Sequence, residues 1–199
     1  MERFTIQTGA YAVNTSIISN GGKALIVDPG ADDQYIIDQL AKKGLEPSAI
    51  LLTHAHFDHI GAIPALQQKF PGLALYVHPA DLMILSHPIN QMPPEYPAIG
   101  IPRDIRDCRE LKEMEVIETP GHTPGGVCYH FREDKLLISG DTLFAGSVGR
   151  TDLPLGDSKT LMRSLEKLKA LPDDTLVIPG HGCHTTIGTE KKSNPFLSA

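Results

Sequence analysis

Short apolar runs alternate along the chain with helical stretches and with turns rich in Gly and Pro, the pattern of an α/β or α+β layered fold. Residues 24–27 read as a buried strand stopped by Asp28-Pro29-Gly30. Residues 33–43 follow as a helix, with Tyr35, Ile36, Ile37, Leu40 and Ala41 at helical spacing and Gly44 as the stop. Residues 50–53 form another short strand that runs directly into a histidine cluster. Residues 60–69 read as helix, 73–77 as strand and 81–85 as a short helix. In the second half, strands are expected at 116–119, 127–131, 135–139 and 175–178, with a helix at 158–170. Two strand-rich halves, each delivering polar residues from strand ends, suggest one site between them. Residues 87–106, with Pro88, Pro93, Pro94, Pro97 and Pro102, read as an irregular surface excursion, either functional or mobile.

Composition narrows the classes. A length of 199 residues suits one domain, expected to span 1–199. Lys and Arg number 18 against 24 Asp and Glu, a formal charge of −6, and no long basic run exists, which argues against a nucleic-acid partner. Met1 to Tyr11 lacks a signal peptide's basic start and apolar stretch, and no segment reaches the roughly 18 apolar residues of a membrane span, so a cytoplasmic protein without membrane contact is expected. Cys108, Cys128 and Cys183 are widely separated and odd in number, which argues against a disulfide framework and a thiolate metal knuckle. Any metal is therefore held by nitrogen and oxygen. Nine histidines beside no tryptophan are the unusual feature of the composition.

Thr53-His54-Ala55-His56-Phe57-Asp58-His59 packs three imidazoles and a carboxylate behind a strand. In extended chain i and i+2 share a face, so His54 and His56 can point together, whereas on a helix they would diverge by about 200°. Asp58 and His59 follow where the chain turns into the next helix. Two such pairs, aimed slightly apart, are what two neighbouring metal ions require. Three further polar residues stand at Gly-rich turns after strands: His122 in Gly121-His122-Thr123-Pro124-Gly125-Gly126, Asp141 in Ser139-Gly140-Asp141-Thr142, and His181 in Pro179-Gly180-His181-Gly182. Imidazole and carboxylate are the ligands zinc and iron accept without thiolate. Taken singly, His56 reads as a core or surface histidine and Asp58 as a helix N-cap; taken together, the cluster reads as a metal site. His78, His87, His130 and His184 lack such company and read as non-ligands.

This His-x-His-x-Asp-His signature, followed by a distant His, Asp and His, resembles the metallo-β-lactamase superfamily over nearly the whole chain. The resemblance implies a four-layer αβ/βα sandwich of two mixed sheets flanked by helices. It implies that His54, His56 and His122 hold a first metal, that Asp58, His59 and His181 hold a second, and that Asp141 bridges them. The metals implied are two divalent ions, zinc first, with iron or manganese as alternatives. Asp28, also at a strand end, either orients the histidine loop or simply forms the turn before Pro29-Gly30.

Narrower stretches are similar to the short, type II form of glyoxalase II (hydroxyacylglutathione hydrolase). These are Phe144-Ala145-Gly146-Ser147-Val148-Gly149-Arg150-Thr151-Asp152-Leu153-Pro154 and Thr185-Thr186-Ile187-Gly188-Thr189-Glu190 with Asn194-Pro195-Phe196-Leu197. Cys183 replaces the usual Pro after His181-Gly182, touching no ligand, and the 18 residues after His181 leave no room for the long form's helical substrate domain. The resemblance implies hydrolysis of an anionic glutathione thioester such as S-lactoylglutathione, with Asp58 also orienting the nucleophilic hydroxide. Arg150 either grips a substrate carboxylate or, as the better reading, pairs internally with Asp152 or a backbone carbonyl. Asn194-Pro195-Phe196 reads as a terminal strap with Phe196 packed on the core. The alternatives are a mononuclear iron persulfide dioxygenase on the same scaffold, using His54, His122 and Asp141, and a non-catalytic metal-binding protein. His56 disfavours a diiron flavoprotein-type oxidoreductase, which carries Glu there, and the acidic balance disfavours an RNA-processing nuclease.

Overall fold

The computed structural model describes residues 1–90, 99–100 and 102–198. They form two compact units, Met1–Cys108 and Arg109–Ala199, each built on its own mixed sheet. Pro93, Pro94 and Pro97 of the Pro-rich stretch lie outside the described residues.

The first unit runs β1 (Glu2–Thr8), β2 (Val13–Asn20), β3 (Lys23–Val27), α1 (Asp33–Lys42), β4 (Glu46–Leu51), α2 (Phe57–Ile60), α3 (Ile63–Lys69), β5 (Ala74–Val77), α4 (Leu82–Leu85) and β6 (Ile105–Asp107). Its six strands lie in sequence order; β1, β2 and β3 pair antiparallel, and β3 to β6 pair parallel. Ile17, Ile26, Ile36, Leu40, Ile50, Ile63, Leu66 and Leu75 form its core, so α1 and α3 turn their apolar stripes onto the sheet. The expected helix at 60–69 is broken into α2 and α3. Pro64 has no N–H to donate to Ile60, so the helix must restart, and Ala62 N donates instead to the Pro29 carbonyl (3.0 Å).

β1 and β2 are additions to the expected strands: β1 alternates only briefly, Phe4 and Ile6 between Arg3, Thr5 and Gln7, and β2 carries no clear alternation. Seven of the eight β2 residues are buried, among them Asn14, Thr15 and Ser16, because polar side chains find partners inside. Thr15 Oγ1 donates to the Asp28 carbonyl (2.8 Å) and lies 2.8 Å from Thr8 Oγ1. Such bonds offset the desolvation of the hydroxyls.

The second unit comprises β7 (Glu115–Glu118), β8 (Val127–Phe131), β9 (Leu136–Gly140), a small hairpin of β10 (Leu143–Phe144) and β11 (Ser147–Val148), α5 (Ser158–Lys169), β12 (Leu176–Pro179), β13 (Thr185–Thr186) and α6 (Ile187–Ser193). The sheet order is β13-β12-β9-β8-β7, with only β12 and β9 parallel. Leu165 and Leu168 of α5 and Ile187 of α6 pack with Leu137, Leu143, Val177 and Leu197. Asp157 caps α5 by accepting from Thr160 N (2.7 Å).

The terminal strap differs in one residue from expectation. Phe196 is 41% exposed and Leu197 only 2%. Asn194 Oδ1 accepts from Phe196 N (3.0 Å), and the Leu197 and Ser198 amides bond the Asn194 carbonyl. That tight turn swings Leu197, not Phe196, into the core. Among the described residues no helix is long and apolar enough to cross a membrane.

Candidate metal centre

In the first unit, β3 and β4 are parallel neighbours that end level, Val27 opposite Leu51. Parallel strands present their following loops at one edge of a sheet, the usual place for a ligand site. Asp28 follows β3 and Thr53-His54 follows β4. Asp28 sits at φ 51, a strained region for a non-glycine residue, and its side chain is nearly inaccessible. Its carboxylate accepts from Thr53 N (2.8 Å) and Thr53 Oγ1 (2.6 Å), and Oδ2 stands 3.1 Å from His59 Nδ1. Thr53 Oγ1, its proton directed at Asp28, accepts in turn from His54 Nδ1 (3.1 Å). The Thr53 contact leaves His54 Nε2 with the lone pair a metal requires, and the Asp28 carboxylate beside His59 Nδ1 favours a proton on that nitrogen.

His54, His56 and His59 are all at most 3% exposed. The His54 ring centroid lies 4.9 Å from that of His56 and 4.1 Å from that of His59. The chain is extended at His56 (φ −71, ψ 153), and α2 starts at the next residue, placing Asp58 and His59 in its first turn. The Ala55 peptide between the two histidines is gripped on both sides. Its N–H donates to Asp81 Oδ2 (3.0 Å), and its carbonyl accepts from Asn90 Nδ2 (2.7 Å). A Cβ at Gly30 would overlap the Asp58 carbonyl oxygen, so only glycine lets the loop after β3 approach α2 this closely.

The second unit repeats the logic. β9 and β12 are parallel neighbours, Pro179 opposite Gly140, and Gly180 N donates to the Gly140 carbonyl (2.9 Å). Asp141 and His181 therefore leave the sheet side by side. His122 stands on the turn after β7, where Thr119 Oγ1 meets Thr142 Oγ1 at 2.9 Å. His122 Nδ1 donates to the Arg150 carbonyl (2.7 Å), which again leaves Nε2 as the acceptor. Asp141 Oδ2 lies 3.6 Å from His122 Nε2 and 3.6 Å from His181 Nε2.

These separations bear on whether a metal fits. At 3.6 Å the nitrogen and oxygen are beyond hydrogen-bond range. Two ligands of one tetrahedral metal, each with a bond of about 2.0–2.2 Å, stand roughly 3.4 Å apart. In the first unit, Asp58 Oδ2 and His59 Nε2 are 3.8 Å apart in the same way. One carboxylate equidistant from two imidazoles, with nitrogen and oxygen donors throughout, fits divalent metal ions.

A family model described as the metallo-beta-lactamase superfamily matches residues 8–181. The chain belongs to the metallo-beta-lactamase superfamily. Its two mixed sheets with flanking helices are those of the superfamily's solved structures. The "Crystal structure of BLEG-1 B3 metallo-beta-lactamase" is 36% identical with a TM-score of 0.89, covering 100% of both chains. That of "TTHA1623 in a di-iron-bound form" is 39% identical with a TM-score of 0.89, covering 98% of this chain and 100% of the other. ETHE1 from Myxococcus xanthus is 25% identical with a TM-score of 0.76, over 100% and 85%. Among curated relatives, the "Probable metallo-hydrolase YqgX" of Bacillus subtilis (strain 168) is 40% identical over 96% of this chain and 94% of its own. The "Hydroxyacylglutathione hydrolase GloC" of Haemophilus influenzae (strain ATCC 51907 / DSM 11121 / KW20 / Rd) is 36% identical over 98% and 97%.

Within this metallo-hydrolase frame, Arg150 takes the internal pairing. Its guanidinium donates to both Asp152 oxygens (2.7 Å each), and this contact holds the Asp152 carboxyl down to about 2. Its carbonyl, not its cation, reaches His122. Asp28 is both turn former and partner of His59. His130 bonds Glu115 Oε2 (2.9 Å), while His78 Nδ1 and His87 Nδ1 accept from Ala80 N and Ile89 N (3.2 Å each). Two residues with no sequence signal emerge: Asp81 lies in a 3₁₀ turn before α4, and Asn90 lies in the Pro-rich stretch read as a surface excursion, yet is 4% exposed. A third, Gly149, is part of a quoted stretch without an assigned role. A Cβ there would overlap the Asp141 carbonyl oxygen and press on His122 Cβ.

Proposed function

We propose that this chain is a metal-dependent thioesterase that hydrolyses acyl-glutathione thioesters of the S-lactoylglutathione type, acting as a single metallo-β-lactamase-fold domain over 1–199. The observation that carries this reading is the similarity to a relative named hydroxyacylglutathione hydrolase over nearly the full length of both chains. The buried imidazole and carboxylate donors, with tautomers already set, support it.

In this reading His54, His56 and His122 would hold one divalent ion and Asp58, His59 and His181 the other, with Asp141 available as a donor to either. Two such ions, zinc first and iron or manganese second, would supply a hydroxide nucleophile at neutral pH and an electrophile for the thioester carbonyl oxygen. The protein's own groups do the rest. Asp28 and Thr53 fix the His59 and His54 tautomers, and the Arg150 carbonyl fixes that of His122. Asp58, at the start of α2, orients the attacking oxygen as well as ligating. The leaving thiolate, with a thiol pKa of about 8.5, needs no strong general acid. Two divalent charges would outweigh Asp58 and Asp141, so that an acidic protein would present a cationic pocket to an anionic thioester.

The decisive experiment follows thiol release from S-lactoylglutathione by the purified, metal-loaded protein, with bound metal quantified in parallel. His56→Ala is expected to abolish turnover and reduce bound metal; full activity in that variant overturns the assignment. Oxygen uptake with glutathione persulfide in place of thioester hydrolysis would identify the dioxygenase reaction instead. Hydrolysis of a β-lactam in preference to the thioester would align the chain with its B3 structural neighbour.

A further inference from the structure

The two sequence stretches that resemble the short form of glyoxalase II meet each other in the second unit. Glu190, on α6, is 1% exposed. Its Oε2 accepts from Gly146 N (2.8 Å) and Asn194 Nδ2 (2.8 Å), and its Oε1 from Thr185 Oγ1 (2.6 Å). Asn194 is wholly buried, and its Nδ2 also reaches the Ser147 carbonyl (3.0 Å) and the Phe144 carbonyl (3.4 Å). Both side chains are thus fastened to the β10–β11 hairpin. The hairpin springs from Asp141-Thr142 and returns directly to Gly149 and Arg150. Gly149 N donates to the Thr142 carbonyl (3.3 Å), the glycine lies against Asp141 and His122, and the next carbonyl accepts the His122 Nδ1 proton (2.7 Å).

From this chain of contacts we infer that Glu190 and Asn194 are positioning residues. They lock the hairpin against α6 and thereby set where Asp141 lies and which nitrogen His122 offers. The inference rests on the reading that His122 and Asp141 bind metal. Neither Glu190 nor Asn194 touches the metal ligands; both act through backbone. The loss of such outer partners costs a metal site about 10- to 100-fold in affinity.

The polarity of the clamp makes it testable with isosteric changes. Asn194→Asp turns a donor into a carboxylate facing two carbonyls and Glu190. Glu190→Gln can keep its oxygen on Gly146 and Asn194 while its amide donates to Thr185 Oγ1, whose hydroxyl is free to turn and accept. The full chain is titrated with zinc against a competing chelator, and the absorption spectrum of the cobalt(II) form is recorded. The expected result is a loss of about tenfold or more in zinc affinity for Asn194→Asp with an altered cobalt spectrum. Glu190→Gln should stay close to wild type. Leu165→Ala, a cavity in the same core that leaves every hydrogen bond of the clamp in place, should melt earlier with zinc affinity unchanged. Should Asn194→Asp fail to fold, Thr185→Val removes a single bond of the clamp and is expected to shift affinity and spectrum the same way by less.

Wild-type affinity and spectrum in both Asn194→Asp and Thr185→Val overturn the inference. So does an equal loss in Leu165→Ala, which would mark a general stability effect. His122→Ala, run alongside, separates the two levels. If it leaves zinc affinity intact, the metal reading itself fails; if it weakens zinc while Asn194→Asp and Thr185→Val do not, only the clamp fails.

Discussion

Asp28 shows how much chemistry one side chain can carry without touching a metal. It holds a left-handed backbone conformation, accepts two hydrogen bonds from Thr53, and faces His59 Nδ1. Asp28→Asn keeps the shape and an acceptor for Thr53 N, but an amide cannot satisfy both the hydroxyl and the imidazole N–H. The expected outcome is a fall of about 10- to 100-fold in metal affinity, read by chelator competition, with secondary structure retained in circular dichroism. Gly149→Ala tests the opposite limit, a steric one. The added methyl must displace Asp141, so loss of bound metal by elemental analysis is expected although no ligand has changed. The candidate ligands themselves are legible in sequence because polar residues cluster behind apolar strands. Asp81 and Asn90 are not, because a lone Asp and a lone Asn in a turn-rich stretch look alike whether they face solvent or the Ala55 peptide.

At the scale of elements, strands β3, β4, β5, β8, β9 and β12 and helices α1 and α5 follow from runs of apolar residues that can only be stable when covered. β2 escapes that logic, since its buried Asn14, Thr15 and Ser16 are satisfied by neighbours that no local pattern reveals. α6 is short and contains Gly188, so its stability comes from its cap and its packing rather than from propensity. Thr186 accepts from Thr189 N (3.2 Å) at its start. Thr186→Ala is expected to cost about 1 kcal/mol, measured by urea unfolding. The β7–β8 pair carries a titratable element. Arg132 first, then His130, hold the Glu115 carboxyl at about 2 against an ordinary 4.5. A lowered carboxylate stabilises the fold above its ordinary value, and that contribution fades as pH falls from about 4.5 to 2. Glu115 is partly solvent-exposed, so screening reduces the effect to about 1 kcal/mol. Glu115→Gln is expected to lower stability at neutral pH and to flatten its acid dependence in this window, followed by urea unfolding at each pH.

For the whole molecule, metal binding and folding stability are linked. A ligand that binds only the native state adds RT ln(1 + [L]/Kd), about 4 kcal/mol at a thousandfold excess over Kd. Chelation should therefore lower the melting temperature and, on the proposed function, abolish thioester hydrolysis with it, and zinc should restore both. Melting that ignores the chelator, checked by calorimetry, would remove metal from the stability of the fold.

The sequence alone determines the donor set: imidazoles and carboxylates at strand ends and no paired thiolates, in a chain of net charge −6. It does so because ligand chemistry is a property of residue types and short spacings. Tertiary structure alone decided what faces Nδ1 of His59, His54 and His122, namely Asp28, Thr53 and the Arg150 carbonyl, the first and last 31 and 28 residues away from their histidines. It also decided that Leu197 rather than Phe196 enters the core, and that the terminal Glu190 and Asn194 serve a hairpin 44 and 47 residues away. Hydrogen bonds select partners by distance in space, and only the folded sheet brings those distant donors and acceptors within reach.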